Sequence, residues 1–305
     1  MNDTRTLVLL MAYGTPRTRE EIEPYYTDIR RGRPPTPELL AELTARYEAL
    51  GGTSPLAART DAQRDALQLA LDAAAPGRYH VTLGLKHADP KVEAAVDTAA
   101  ASGFRRIIGL VLAPHYSSYS IGQYLDRART AAEPHGIEVL GIDSWATEPA
   151  FVEFIARDLQ AKLAAMPTGT RVFFTAHSLP ERIIAAGDPY PEQLRSTAKA
   201  VAAAAGLAAD AWEIAWQSAG RTPEPWLGPD VLEVIDRVAA EGGTGVLVSA
   251  VGFVADHLEV LYDLDIEAAH RAAERGLAFA RTACVNDDST VMAALAQRVI
   301  ALDAG

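Results

Sequence analysis

Short apolar runs alternate along the chain with segments in which apolar residues recur at helical spacing. Strand-length runs of Val, Ile and Leu with helices between them are typical of parallel sheets that are covered on both faces. The predicted strands cover residues 7–12, 80–85, 106–112, 138–142, 172–176, 213–216, 245–250 and 277–281. The pattern therefore predicts an α/β fold.

Eight strands in 305 residues favour two open parallel-sheet units of four strands each. We expect two Rossmann-like domains, residues 1–145 and 146–285, with a cleft between them. The last segment, residues 286–305, contains a helix predicted at 289–302 and is expected to pack back on the first domain. Because ligands bind beyond the carboxyl ends of the strands in such sheets, the residues that follow each strand are the candidates for function.

The segment after the seventh predicted strand, residues 252–267, carries three acids spaced four residues apart. At about 100° per residue, Glu259, Asp263 and Glu267 share one side of a predicted amphipathic helix. They span about 12 Å, so they form a file along the helix and not a single cage. A solvated helix face has the same pattern, and Asp256 with Glu259 fits an acidic helix start. Spacing alone leaves these interpretations open.

Five of the seven histidines lie in or after these segments, namely His87, His115, His177, His257 and His270. Each alone is more typical of a structural residue, but their convergence on one edge favours a site in the predicted cleft. His177 ends an apolar strand, and its neutral imidazole can bind a divalent metal or accept a proton near pH 7. Paired with Glu259, it suits transient Fe²⁺ binding better than a closed four-ligand zinc site. His257 is expected on the apolar side of the helix, as a hydrogen-bonded core residue.

Composition removes several classes of protein. The formal charge of −12 argues against nucleic acid as a partner, because phosphate neutralisation needs a basic surface. The longest apolar runs are too short to span a bilayer, so no integral membrane segment is expected, and the first run ends in Tyr-Gly-Thr-Pro, which is unlike a signal-peptide cleavage site. The one cysteine, Cys284, excludes an intrachain disulfide and fits a reducing cytoplasm.

Arginines are concentrated in residues 25–46 of this otherwise acidic chain. Guanidinium groups suit carboxylates or phosphates, although a solvated basic loop is the preferred interpretation for Arg31 and Arg33. A loop at residues 216–229 carries two tryptophans, which can wall a flat aromatic ligand or simply pack on the domain. The chain contains neither a G-x-x-x-x-G-K-[ST] nor a G-x-S-x-G motif, which removes the P-loop and α/β-hydrolase interpretations.

Several long motifs along nearly the whole chain have counterparts in one family. They are MAYGTP at 11–16, YYTDIRRGRPP at 25–35, RYEALGGTSPL at 46–56, GLKH at 84–87, LAPHYSSYS at 112–120, AHSLPERI at 176–183, GDPYP at 187–191, WQSAGRTPEPWLGPD at 216–230 and GFVADHLEVLYD at 252–263. With these motifs the chain resembles the ferrochelatase family, and most of all its soluble branch, the coproporphyrin ferrochelatases. The resemblance implies the chelatase fold of two Rossmann-like domains.

The resemblance also implies an activity and its residues. A coproporphyrin ferrochelatase inserts Fe²⁺ into coproporphyrin III to give coprohaem in haem b biosynthesis. The family pattern carries over His177 and Glu259 as the pair that binds iron and accepts protons, with Asp263 and Glu267 as an outer metal path. Tyr13 looks like the residue that faces the iron from the other side of the ring. Metal entry must remove two pyrrole protons, for which an imidazole beside a carboxylate is a suitable acceptor.

The remaining implied residues concern the porphyrin. The positions that match propionate-holding residues of the family are Arg30, Arg46, Tyr47, Ser54 and Tyr124. Three further candidates for the cleft follow strand ends: Lys86, His87 and Trp216. Iron is a substrate in this interpretation, and no permanently bound cofactor is expected. Some relatives carry a cysteine-ligated [2Fe–2S] cluster, but a chain with Cys284 alone is not expected to form one.

Three alternatives stay open at this stage. They are a protoporphyrin IX ferrochelatase, a cobalt or nickel chelatase for another tetrapyrrole, and a tetrapyrrole or metal carrier without turnover. The expected partners are coproporphyrin III and Fe²⁺, with a transient contact to the enzyme that next handles coprohaem.

Overall fold

The computed structural model describes residues 5–220 and 222–305, which contain all eight predicted strands. They are β1 (Thr6–Ala12), β2 (Tyr79–Leu85), β3 (Arg106–Val111), β4 (Glu138–Ile142), β5 (Arg171–His177), β6 (Trp212–Gln217), β7 (Gly245–Ser249) and β8 (Ala278–Arg281). Each strand differs from its predicted range by at most one residue at either end. Strand β5 continues through His177 because this residue still pairs with Gln217 of β6.

The described residues also form helices between and after these strands. They are α1 (Ile22–Ile29), α2 (Pro37–Ala49), α3 (Leu56–Ala74), α4 (Val92–Ala101), α5 (Ile121–Ala132), α6 (Pro149–Ala164), α7 (Glu181–Ala185), α8 (Tyr190–Ala205), α9 (Val231–Ala240), α10 (Leu258–Val260), α11 (Ala269–Glu274) and α12 (Ser289–Ala304), with 3-10 turns at Arg19–Glu21 and Glu133–His135 and a π-helix at Leu261–Ala268. Within the described ranges, no helix is both long and apolar enough to cross a membrane.

The first compact unit contains the described residues up to Ala113 together with Ser118–Ser144 and Asn286–Gly305. Its four strands are all parallel, in the order β2-β1-β3-β4. Every residue of β1 is buried, as expected for a central strand that is covered on both faces. The last helix of the chain, α12, belongs to this unit and packs against α3.

The second compact unit contains Pro114–Ser117 and Trp145–Val285. Its strands are also all parallel and follow the equivalent order, β6-β5-β7-β8. Strand β7 is buried throughout, and β5 is buried except at its two ends. Two open parallel sheets of four strands, each flanked by helices, confirm the predicted fold class.

The strand order fixes where ligands are expected in each unit. In both sheets the chain first adds a strand on one side and then returns to the other side, so the order reverses between β1 and β3 and between β5 and β7. Sheets of this kind bind ligands outside the carboxyl ends of the strands, at the point of reversal. Strand β1 ends just before Tyr13, and β5 ends on His177.

Candidate active site

His177 lies at the carboxyl end of β5, at the point where the strand order of the second sheet reverses. Its Nδ1 lies 2.6 Å from the carbonyl oxygen of Ser178. Because a carbonyl oxygen only accepts hydrogen bonds, Nδ1 carries the proton, and the lone pair of the neutral ring is on Nε2. That Nε2 lies 3.7 Å from Oε1 of Glu259, and the side chains of His177 and Glu259 are 35% and 39% exposed.

A second imidazole lies beside the same carboxylate. Nδ1 of His257 donates to the carbonyl oxygen of Ala255 at 2.9 Å, and its Nε2 lies 3.6 Å from Oε2 of Glu259. The ring also packs on Phe253, with the two centroids 5.0 Å apart. His257 is therefore hydrogen-bonded, as the sequence suggested, but its other nitrogen faces Glu259. The helical projection did not anticipate this contact.

Contacts from β5 and β6 hold the Glu259 segment in place. The side-chain amide of Gln217 donates to the carbonyl oxygen of Glu259 at 3.0 Å, while its Oε1 accepts from Thr175 at 2.9 Å. Gly252 donates its N–H to the carbonyl oxygen of Thr175 at 3.0 Å. A Cβ atom at Gly252 would lie 2.4 Å from Cβ of Ala176, so only glycine allows this close approach to the strand.

The helix that carries the acids differs from the predicted regular α-helix. Leu261–Ala268 is a π-helix, and the preceding α-helical turn begins only at Leu258. The suggested capping role of Asp256 is wrong: its carboxylate accepts from Arg281 at 3.2 Å, and the N-cap residue is His257, which makes no side-chain cap bond. A projection at 100° per residue assumes hydrogen bonds from i to i+4, whereas a π-helix makes them from i to i+5 and is frequent at functional sites.

The three acids of the file differ in their exposure to solvent. Asp263 is buried and accepts a hydrogen bond from the hydroxyl of Ser218, while Glu259 and Glu267 are half-buried. Asp265, another acid of the π-helix, is exposed, with 39% of its side chain accessible. His270 is exposed and lies beside Glu274, 3.6 Å away.

Tyr13 follows β1 in the first unit and is 43% exposed. The Tyr13 ring packs against the ring of His87, with 4.5 Å between the centroids. The main-chain N–H of His87 also donates to the carbonyl oxygen of Tyr13. Nδ1 of His87 lies 2.7 Å from the Asp28 carboxylate. Burial is the main cause that lowers the pKa of His87, although the bond to Asp28 opposes it.

The other porphyrin candidates of the first unit differ in exposure. Tyr47 is 2% exposed, with its hydroxyl 3.4 Å from Oγ1 of Thr15, and the Ser54 hydroxyl accepts from Leu56 N at the start of α3. Tyr124 is buried, and burial raises the pKa of its phenol.

Arg30 and Arg46 are both half-buried. The Arg30 guanidinium lies 5.7 Å from the centroid of the Tyr26 ring and donates to the carbonyl oxygen of Arg33. Trp216, a candidate in the second unit, is 5% exposed and packs against Tyr190 at 5.8 Å between ring centroids. Arg221 of the tryptophan loop lies outside the described residues. The roles that the sequence suggested for all these residues stay predictions.

No group of three or more His, Cys, Asp or Glu side chains in residues 5–220 and 222–305 is arranged to hold a metal ion. The distances that join His177 and His257 to Glu259 are each measured to a different carboxylate oxygen. Glu259 therefore forms two separate nitrogen–oxygen donor pairs, one with His177 and one with His257.

The fold has counterparts among solved structures. The sirohydrochlorin chelatase SirB from Bacillus subtilis subspecies spizizenii, in complex with cobalt, matches 98% of this chain and 95% of its own, with a TM-score of 0.57 and 10% identity. CbiX, described as the terminal enzyme for biosynthesis of sirohaem in denitrifying bacteria, matches 97% of this chain and 98% of its own, with a TM-score of 0.54 and 13% identity. These likenesses place the fold in the chelatase class.

The chain belongs to the ferrochelatase family, because the family model described as Ferrochelatase matches residues 5–302. A ferrochelatase of Herpetosiphon aurantiacus is 47% identical over 290 residues, which cover 93% of this chain and 94% of the relative. A coproporphyrin III ferrochelatase of Geobacillus kaustophilus is 46% identical over 300 residues, which cover 96% of this chain and 94% of the relative. The resemblance that the motifs suggested is thereby confirmed.

Proposed function

We propose that the protein is a coproporphyrin III ferrochelatase, which inserts Fe²⁺ into coproporphyrin III to form coprohaem in haem b biosynthesis. Relatives named coproporphyrin III ferrochelatase, at 46% identity over 96% of the chain, support this substrate. The observation that carries the proposal is the 3.7 Å approach of His177 Nε2 to the Glu259 carboxylate, at the strand-order reversal of the second sheet.

The reaction replaces two pyrrole N–H protons by one Fe²⁺ ion, so the site must accept two protons for each metal inserted. His177 offers a lone pair on Nε2, because its Nδ1 proton is committed to the Ser178 carbonyl oxygen. Glu259 offers a carboxylate beside it. An imidazole and a carboxylate within reach of each other can take up one proton each and pass them on to water.

The same spacing suits a divalent ion. Two donor atoms bonded at about 2.1 Å to one metal lie about 3.6 Å apart when the angle between the bonds is about 120°. The two imidazole nitrogens lie 3.7 Å and 3.6 Å from the two oxygens of Glu259. Either pair can therefore hold Fe²⁺ before it enters the macrocycle, and mixed nitrogen and oxygen donors suit that ion.

The acids of the π-helix fit an outer path for the metal. The second unit contains 19 acidic and 11 basic residues and so carries a formal charge of −8, whereas the first unit carries −4. A negative surface raises the local concentration of a divalent cation. Asp263 and Glu267 follow Glu259 on this helix, so we propose that they relay Fe²⁺ toward it.

The porphyrin would be held by the first unit. Coproporphyrin III has four carboxylates, and guanidinium and hydroxyl groups are the donors that suit them. We propose Arg30, Arg46, Tyr47, Ser54 and Tyr124 for this role and Tyr13 as the residue that faces the metal. Among the described residues, no carboxylate forms an ion pair with Arg30, so its charge is available to a ligand.

Burial raises the pKa of the Cys284 thiol to about 12, so this cysteine stays protonated and unreactive. We propose a cytoplasmic enzyme without a resident cofactor, which passes coprohaem to the next enzyme in a transient contact.

The direct test is anaerobic incubation of the purified protein with Fe²⁺ and coproporphyrin III, followed by absorption spectroscopy. We expect metallation, with a kcat/KM at least about 10-fold higher than for protoporphyrin IX. A His177→Ala variant should bind coproporphyrin III but lose almost all metallation. Binding without metallation by the wild-type protein would instead indicate a carrier, and equal rates with protoporphyrin IX would contradict the proposed substrate.

A further inference from the structure

Tyr190, the first residue of α8, places its hydroxyl group against the main chain of His177. The hydroxyl lies 3.1 Å from the carbonyl oxygen of His177, and Tyr190 as a whole is 7% exposed. Because a carbonyl oxygen only accepts hydrogen bonds, the phenol is the donor. A buried side chain of one helix is thus bonded to the backbone of the residue that carries the proposed proton acceptor.

On one side, β5 extends past its neighbouring strand. Its pairing with β7 ends at Phe174, three residues before His177. Because successive carbonyl groups point to opposite sides of a strand, those of Thr175 and His177 point to the same side. The Thr175 carbonyl accepts from the N–H of Gly252, in the chain that follows β7, so this is the β7 side. The His177 carbonyl therefore lies beyond the paired residues, and Tyr190 supplies the donor that β7 does not.

The peptide group that joins His177 to Ser178 is held at both of its polar atoms. Its carbonyl oxygen accepts from Tyr190, and its N–H donates to the carbonyl oxygen of Gln217 in β6 at 2.8 Å. The imidazole is attached to the same segment, because its Nδ1 donates to the carbonyl oxygen of Ser178. The position of Nε2 beside Glu259 is therefore determined by a backbone that is fixed from two sides.

The ring of Tyr190 is fixed independently of its hydroxyl group. Its centroid lies 5.8 Å from that of Trp216, and the His115 ring meets it edge-on at 6.1 Å, with 86° between the two planes. The main-chain N–H of Tyr190 donates to the Asp188 carboxylate at 3.1 Å. Removal of the hydroxyl alone should therefore leave the ring in place and release only the His177 carbonyl.

We propose that the Tyr190 hydroxyl positions His177 for metal insertion, by holding its main chain so that Nε2 stays aimed at the Glu259 carboxylate. This inference rests on the proposed function and adds a positioning residue to it. Tyr190 acts through His177 and makes no contact of its own with metal or porphyrin in this role. An error of about 1 Å in the placement of a reacting group can lower a rate about 100-fold, so loss of one of two anchors is expected to have a smaller but measurable effect.

The kinetic test compares iron insertion by the wild type, Tyr190→Phe and Tyr79→Phe. We expect Tyr190→Phe to lower kcat about 10-fold and to leave KM for coproporphyrin III within about 2-fold of the wild type. Tyr79→Phe is the matched control, because Tyr79 is 5% exposed and its hydroxyl donates a buried hydrogen bond of 3.0 Å to Asp303 in the first unit. Each variant loses one such bond, so Tm should fall by similar amounts while the control keeps its kcat.

Nuclear magnetic resonance of isotope-labelled histidine nitrogens gives a readout that a general loss of stability does not move. The ligand-free proteins are compared at about pH 8, where an imidazole is neutral, and His177→Ala identifies the signals of the His177 ring. In the wild type and in Tyr79→Phe this ring should be a single tautomer with its proton on Nδ1. In Tyr190→Phe it should become a mixture of two tautomers, because the backbone that receives this proton is released.

A wild-type kcat for Tyr190→Phe, equal losses of kcat in both variants, or an unchanged His177 spectrum in Tyr190→Phe would each overturn the inference. If the wild type binds coproporphyrin III without inserting iron, the proposed function fails. The His177 spectra then decide by themselves whether Tyr190 fixes the ring, so the two failures are distinguishable.

Discussion

Glu259 has an imidazole nitrogen near each of its carboxylate oxygens, at 3.7 Å from His177 and 3.6 Å from His257. Both rings donate their Nδ1 protons to carbonyl oxygens, so both present Nε2 toward the carboxylate. The two histidines therefore have equivalent chemistry but different positions along the chain. Their effects on proton acceptance are expected to depend on each other because they share one acid.

A double-mutant cycle tests this coupling. His177→Ala and His257→Ala should each lower kcat for iron insertion by about 100-fold or more, which is the usual contribution of a positioned acid or base. The double variant should lose far less than the product of the two losses, because groups that act as a unit are not additive. The measurement is single-turnover metallation, with coproporphyrin Kd as a check that binding is kept.

His270→Ala is the matched control for this cycle, because the His270 side chain is 74% exposed and lies beside Glu274. Its kcat should equal that of the wild type. A wild-type kcat for His257→Ala would contradict this coupling. So would a loss in the double variant equal to the product of the two single losses, because His257 would then act independently of His177.

The sequence predicted His177 and Glu259 as a pair but did not anticipate the contact of His257 with Glu259, and the reason is local geometry. The projection treated residues from Asp256 onward as helical, which places His257 and Glu259 on different sides. The structure has His257 in an extended conformation, with φ of −155° and ψ of −178°. In extended backbone, residues i and i+2 point to the same side, so the His-x-Glu spacing was the signal that a strand-like interpretation would have used.

The acidic segment of the second unit is held at two points by one arginine at the end of β8. Nε and Nη2 of Arg281 bind the two oxygens of Asp265 at 2.6 and 2.8 Å, and Nη2 also lies 3.2 Å from Asp256. Asp256 directly precedes His257, and Asp265 lies in the π-helix. The guanidinium therefore fixes the loop and the helix on either side of Glu259 relative to each other.

We expect Arg281→Met to affect both stability and metal handling. Loss of these charge-assisted bonds should lower the free energy of unfolding by about 1–3 kcal/mol. It should also raise KM for Fe²⁺ while KM for coproporphyrin III stays unchanged, because Asp256 and Asp265 flank Glu259 and Asp263, which we propose as metal ligands. Urea unfolding and steady-state kinetics with each substrate varied in turn measure the two effects.

Arg275→Met provides the comparison, since Arg275 is 47% exposed and binds Asp236, at 2.7 Å, outside the acidic segment. An exposed ion pair is worth about 0–1 kcal/mol, so loss of this one should change the free energy of unfolding little. Because the pair lies outside the acidic segment, both KM values should stay unchanged. Equal changes in both KM values for Arg281→Met would indicate general loosening of the second unit and not positioning of the metal side.

The sequence pattern predicted the central strands but not the π-helix. Central strands such as β1 and β7 were predicted within one residue because they are buried on both faces and therefore read as unbroken apolar runs. The π-helix was missed because its sequence fits the α-helical period equally well. What distinguishes it is tertiary contact: Ser218 binds Asp263 and Arg281 binds Asp265, and neither partner is near in sequence.

Strand β1 and helix α12 meet in one polar cluster of the first unit, around the buried Asp303. The Asp303 carboxylate, in the last helix and 1% exposed, accepts hydrogen bonds from Thr6, Tyr79 and two arginines, Arg78 and Arg106. These four donors lie at the starts of β1, β2 and β3, and Arg78 directly precedes β2. A helix that is remote in sequence is thus joined to three strands by a single side chain, a contact that hydrophobic periodicity alone does not reveal.

This cluster predicts how the stability of the molecule depends on pH. Burial alone would raise the pKa of Asp303, but the bonds from Arg78, Arg106 and Tyr79 outweigh it and the pKa is lowered. A carboxyl group with a lowered folded-state pKa contributes stability that is present above its unfolded pKa of about 3.9 and is lost as pH falls through the folded value.

Asp303→Asn should therefore reduce the free energy of unfolding at pH 7 by about 2–4 kcal/mol and flatten its fall below about pH 4. Urea unfolding from pH 3 to pH 8 measures both effects. Asp126→Asn is the control, because the Asp126 side chain is 76% exposed and should contribute less than about 0.5 kcal/mol. An Asp303→Asn protein as stable as the wild type at pH 7, or one with the same acid dependence, would show that the cluster does not hold the last helix on the sheet.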